Sequence, residues 1–249
     1  VKVERFEIVS AFRRDDTVVL ACGPSLRELS EQFAGRLISL NVPDRAPPEL
    51  PRLVVRFEGM LLQVGLNRFQ IVLEPPQHIA TSYIEALQYC KNRSFPLLES
   101  LLSAKAIKYE WSGVIAVLAV PQDLATTKSA LGAAGIIFPR LTKLDWDTTN
   151  LASFRLQAGY KNNDYFRNYI LEGYEVRSME IDAPLNVSRI EIDPTDFPVS
   201  EVGFNLTLDV NNKPCESKST PLPDLSATLT EHERAFLSLE TDLNLGGLL

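Results

Sequence analysis

The stretch from residue 53 to residue 73 constrains the fold more than any other part of this chain. Residues 53–64 and 69–73 are rich in β-branched and aromatic side chains and flank Gly65-Leu66-Asn67, a turn signal between two strands. Strands joined by so short a link pair antiparallel, because a parallel return needs a crossover of about a dozen residues. The reading is a hairpin with 53–64 paired to 68–73, ended by Pro75-Pro76.

The flanking segments fit the same architecture. Residues 3–12 read as a strand followed by a turn at 13–16, and residues 18–22 form a short apolar run. Gly23-Pro24-Ser25 ends that run, and a helix starts with Ser25 and Glu28 at capping-box spacing. Its apolar face is Leu26, Leu29, Phe33 and Leu37. Residues 43–51 contain four prolines and predict an extended loop. A helix carries Ile79, Tyr83, Ala86, Leu87 and Cys90, and Phe95-Pro96 restarts a second, short one. Residues 106–111 lead to a turn at Ser112-Gly113, and residues 114–120 are an apolar strand buried on both faces. Asp123 caps a weak helix ending near Gly132 or Gly135.

Further on, residues 154–160 and 165–181 bracket a turn at 161–164, residues 187–192 form another strand, and residues 202–210 alternate cleanly before Asn211-Asn212. Residues 213–224 loop out. Thr230 and Glu233 have capping-box spacing ahead of a final helix carrying Leu229, Phe236, Leu239 and Leu243. There is no sustained alternation of strand and helix and no glycine-rich fingerprint, which argues against a doubly wound parallel sheet. The expected class is α+β: mainly antiparallel sheets with amphipathic helices. Helices close each sheet region, which suggests two related halves. Residues 1–140 would be an N-terminal α+β unit, and residues 141–249 an acidic, strand-rich α+β unit with a C-terminal helix.

Composition narrows the functional classes. Hydrophobic residues make up 45% of 249, enough for a core without disulfides or metal. No apolar run reaches the roughly 18 residues of a membrane helix. Cys22, Cys90 and Cys215 are dispersed and odd in number, which reads as reduced thiols in cytoplasm. Charge is lopsided. Residues 1–140 carry 16 Lys/Arg against 14 Asp/Glu, net +2; residues 141–249 carry 9 against 18, net −9. The acidic half argues against a phosphate backbone as its partner. Any nucleic-acid contact would fall to the first half, at Arg52, Arg56 and Arg68.

No catalytic constellation emerges. His232 lies in Thr-Glu-His-Glu-Arg, but Phe236 stands where a second zinc ligand would be, so it reads as a structural or surface histidine. His78 reads as a solvated residue of a first helical turn. Cys22-Gly23-Pro24-Ser25 has the look of an anion-binding helix start, though a plain structural turn is the simpler account. Carboxylates cluster at Asp145/Asp147, Glu180/Asp182 and Glu191/Asp193/Asp196. Glu191 and Asp193, two apart on a strand, would share a side and could share a cation, yet a solvated acidic edge is the better reading. No cofactor or metal is expected. The candidate partner-binding residues are Tyr165, Phe166, Tyr169 and Tyr174, because aromatics among charged groups are typical of interfaces. Alternation puts Tyr165 and Tyr169 on one face, Phe166 and Tyr174 on the other.

Several stretches resemble a sporadically distributed, uncharacterised bacterial family of about this length. They are residues 64–71, the helix around Tyr83, residues 107–111, residues 206–210 and the helix over 230–239. The curved strands with helices are also similar to SecB-type chaperones at the level of fold. Together these readings point to a non-catalytic accessory, regulatory or chaperone-like protein of bacterial cytoplasm that binds another protein or itself. The alternatives are a metal-dependent hydrolase or nuclease using the carboxylates, and a small-ligand sensor with a pocket between the halves.

Overall fold

A computed structural model describes residues 1–103, 107, 109–125, 155–162, 164–178, 193, 197–213 and 225–242. The strands are β1 (Lys2–Phe12), β2 (Arg36–Ser39), β3 (Leu53–Phe57), β4 (Met60–Val64), β5 (Arg68–Leu73), β6 (Tyr109–Gln122), β7 (Arg155–Asn162), β8 (Tyr165–Arg177) and β9 (Val199–Asn211). The helices among the described residues are α1 (Val18–Gln32), α2 (Gln77–Ala80), α3 (Tyr83–Ser103) and α4 (Leu225–Asp242).

The nine strands among the described residues belong to one sheet, ordered β2-β3-β4-β5-β1-β6-β9-β8-β7. This corrects the expected α+β class with separate sheets in two related halves: a single large sheet interleaves early and late strands, and strand outweighs helix. The physical reason lies in β1 and β6. Residues 8–12 of β1 and 116–120 of β6 are buried at every position, so both strands need cover on both faces and must be central. Local periodicity marks a strand as interior but does not name its neighbours.

The chain forms two compact units, each drawn from several stretches. The first combines Val1–Leu118, Ala158–Tyr169 and Thr207–Ser238; the second combines Ala119–Gln157, Ile170–Leu206 and Leu239–Leu249. The boundary expected after residue 140 lies outside the described residues.

In the first unit, antiparallel register stacks apolar residues in rows. Phe6 faces Leu73, Leu73 faces Met60, and Met60 faces Phe57; Ile8, Ile71, Leu62 and Val55 form the next row. These residues are buried, and directly opposed residues share a sheet face. The other face carries Glu7, Val72, Leu61 and Arg56 in register, and none of those four is buried. Helices cover the apolar face: Phe33 at the end of α1 meets Phe57, while Tyr83 of α3 and His232 of α4 both meet Phe6.

The hairpin expectation holds for β4 and β5, which pair from Met60↔Leu73 to Val64↔Phe69 across Gly65–Asn67. The 53–64 segment is two strands, broken by Glu58-Gly59, with Gly59 at φ +65°. Glycine adopts that conformation without steric cost. The proline-rich loop packs on the other turn. Leu66 N–H donates to Pro48 O, and the Arg52 guanidinium donates to the Pro47 and Leu50 carbonyls at 3.1 and 2.5 Å.

Two helix expectations change. The 18–22 run and Gly23-Pro24 lie inside α1, which ends at Gln32, so Phe33 is exposed and Leu37 belongs to β2. Val18, Cys22, Leu26 and Leu29 form its buried stripe, and Pro24 points outward. The N–H that Pro24 lacks would have served Leu20 O, and Leu20 is largely exposed to water. Likewise α3 runs through Pro96 instead of restarting there. Ser112-Gly113 is interior to β6. The helix after Asp123, the strand at 187–192 and most of the 213–224 loop lie outside the described residues.

In the second unit, Val202, Phe204 and Leu206 of β9 and Leu171 of β8 are buried. Tyr174 donates to Glu201 at 2.5 Å.

Candidate interaction surface

The β8 aromatics do not form one patch. Tyr169 is 1% exposed; its ring meets Tyr160 edge-on at 5.7 Å and its hydroxyl points to Ala235 O at 3.5 Å. Alternation puts Tyr165, Arg167 and Tyr169 on this same side, the side that α4 covers. Tyr165 is half-buried, and Tyr160 of neighbouring β7 is 43% exposed. Phe166 turns to the opposite side and lies over Gly159, where an added Cβ would come within 2.7 Å of its ring. Gly159 therefore lets a phenyl ring cover bare backbone. Tyr174 belongs to the second unit and is half-buried.

Beside the tyrosines, Arg167 and Glu231 form a buried ion pair. Arg167 Nε and Nη2 donate to one Glu231 oxygen at 3.0 and 2.5 Å, and Nη1 donates to Ser238 Oγ at 3.3 Å. The two side chains are 13% and 8% exposed. α4 also docks through Thr228, whose hydroxyl meets that of Ser112 at 3.1 Å. Its start at Leu225 places Thr230 inside the helix, where it donates to Ser226 O, so the expected cap at Thr230 is not there.

His232 is structural. It is fully buried, with Nε2 3.1 Å from Leu208 O and Nδ1 in a short hydrogen bond with Tyr83 Oη. The carbonyl can only accept, so Nε2 carries the proton and Nδ1 accepts from the phenol. Burial pushes the imidazole down to about 4, the Leu208 contact opposing this slightly. Burial likewise raises the Tyr83 phenol well above its ordinary value. Phe236 stacks on Tyr83 at 3.6 Å.

The remaining candidates separate. His78 is exposed on the four-residue α2. Cys22 lies mid-helix and is 0% exposed, so it is not at a helix start as expected for an anion site. Cys90 is equally buried and its thiol is pushed up to about 12 by that burial. Arg52 is buried in the proline loop, Arg56 is exposed on β3, and Arg68 is half-buried on β5. Asp193 is exposed, whereas Asp145, Asp147, Glu180, Asp182, Glu191 and Asp196 lie outside the described residues. No group of three or more potential metal ligands occurs among the described residues. Two depressions among the described residues measure about 270 and 110 Å³. Among the described residues, no helix is long and apolar enough to cross a membrane.

Sequence reasoning missed Glu231 and the Tyr83–His232 pair. One signal was present: Thr228, Glu231, His232, Ala235 and Leu239 follow i, i+3, i+4, i+7, i+11, a single helical stripe. No protein-family model matches the chain, and no curated protein matches it either.

Proposed function

We propose that this protein is a non-catalytic accessory or regulatory component of bacterial cytoplasm, chaperone-like in acting through contacts with a protein partner or with its own copies. The observation that carries this reading is the β7–β8 end of the first unit. There exposed Tyr160 and half-exposed Tyr165 lie beside buried Tyr169 and the Arg167–Glu231 pair. Rings held in place by a buried ring and a charged pair present contact area at little entropic cost. Burial of Cys22 and Cys90, both 0% exposed, agrees with small apolar core residues in a reducing compartment.

The test is a Tyr160→Ser, Tyr165→Ser double variant. Photo-crosslinking from position 161, in bacterial cells and with purified protein, reports partner and self-contact. The expected result is a protein adduct that the double variant loses, with the melting temperature moved by less than about 4 °C, the shift of roughly 1 kcal/mol. An adduct of undiminished yield, or a variant that unfolds, overturns the assignment.

A further inference from the structure

We propose that α4 is an acid-releasable helix, with His232 as the trigger that undocks it from the sheet while the rest of the first unit stays folded. The argument begins with a count of donors and acceptors. With the imidazole neutral, two donors, Nε2–H of His232 and O–H of Tyr83, meet two acceptors, Leu208 O and Nδ1. Protonation of Nδ1 turns that acceptor into a donor. Tyr83 Oη must then accept from Nδ1, and its own proton loses its acceptor. The same step places a charge at a site that is 0% exposed, where an unpaired ion is costly.

Among the described residues no carboxylate forms an ion pair with His232, and the charge of half-buried Glu233 is felt at Tyr83. On α4 itself the Glu231 carboxylate is bound to Arg167 and lies 3.6 Å from Arg234, and Glu233 lines the outer groove with Lys91. α3 presents Tyr83, with Cys90 two turns on, and Glu85 exposed. β8 presents Arg167, itself cationic, and Tyr169. On β9, Asp209 follows Leu208 and therefore points to the other sheet face; on β1, Arg5 and Glu7 flank Phe6 and do the same. The only other histidine, His78, is exposed on α2.

α4 can undock because its inner face carries polar groups. Thr228, Glu231 and His232 are all buried and bind β6, β8 and the α3–β9 pair respectively. Polar docking of this kind weakens sharply when one contact fails, since each orphaned group adds its own desolvation cost. The sign is that of a base depressed in the docked state. Docking is fully stable above about pH 6.5 and weakens as pH falls toward 4. The inference stands independently of the reading of β8 as an interaction surface.

Hydrogen exchange of the full chain at pH 7 and pH 5, corrected for intrinsic exchange, tests it. The opening constant of 225–239 is expected to rise about twentyfold between the two, with β1 and β5 unchanged. In His232→Gln, whose amide reproduces one acceptor and one donor without titrating, that rise is expected to vanish. Loss of protection in α4 and β1–β5 together, an unchanged α4, or a pH response retained by His232→Gln overturns the proposal. If that variant does not fold, ring-nitrogen NMR of the unmodified protein decides. The proposal expects a neutral Nε2–H tautomer down to the pH at which α4 exchange rises. An imidazole that takes up its proton with α4 still protected overturns it.

Discussion

At Arg167 and Glu231 two opposite charges give up most of their water for each other. Such a pair is worth little against an apolar substitute, but an orphaned half is expensive. Arg167→Met takes from the Glu231 carboxylate, 8% exposed, the two hydrogen bonds of the guanidinium and leaves Arg234 at 3.6 Å. A loss of about 3–5 kcal/mol in urea unfolding is expected. Arg167→Met with Glu231→Leu is expected to recover most of it. A double variant as unstable as the single one would show that the two residues act separately. This pair also shows where the site was legible. Alternation along β8 placed Tyr165 with Tyr169 and Phe166 with Tyr174, and parity is a local property. The run Thr-Glu-His-Glu-Arg reads no further than a structural or surface histidine, because the partners of Glu231 and His232, Arg167 and Tyr83, are 64 and 149 residues away. No local pattern encodes partners at that distance.

Within the elements, two glycines make opposite demands. A Cβ on Gly203 of β9 would come 2.4 Å from Val120 O and 2.9 Å from Pro121 Cα, both backbone atoms that move only with the strand. Gly203→Ala is expected to destabilise by about 2–3 kcal/mol. Gly23 sits inside α1 with nothing within 4 Å of an added Cβ, so Gly23→Ala is expected to stabilise by about 0.5–1 kcal/mol. Chemical denaturation of both variants checks the pair; a stabilised Gly203→Ala or a destabilised Gly23→Ala would contradict the packing described for these elements. The same residues explain which boundaries sequence hid. Gly23-Pro24 carries the usual signal of a helix stop, yet the stripe Val18, Cys22, Leu26, Leu29 runs through it because burial of four side chains outweighs one missing hydrogen bond. Gly113 looks like a turn but allows close approach to Asn211, whose Cβ would be 3.0 Å from an added one. The β4–β5 hairpin was legible because its turn and both strands are contiguous. The Glu58-Gly59 turn was not, since glutamate is no turn former.

For the whole molecule, strand order is what local reading leaves open, because β1 lies between β5 and β6 and those pairings join distant stretches. Within the first unit, long-range strand pairing ties α1 and α3, the two helices that carry the cysteines, into one cooperative body. Cys22 on α1 and Cys90 on α3 sample that body at two places, both 0% exposed. Their helices touch each other, and they rest on different strands, α1 on β2 and β3 and α3 on β1. At pH 8 the folded Cys90 thiol, pushed up to about 12, holds almost no thiolate, and the thiolate is the reactive form. Labelling must therefore wait for the first unit to open. In a Cys215→Ser background, mass-spectrometric thiol labelling at pH 8 is expected to be slowed roughly a thousandfold or more relative to the unfolded chain, as a stability of about 5 kcal/mol requires. The two cysteines are expected to react at the same rate within a factor of about three. Labelling of Cys22 far ahead of Cys90 would mean that α1 lifts from β2 and β3 on its own, and that α1 and α3 do not open together.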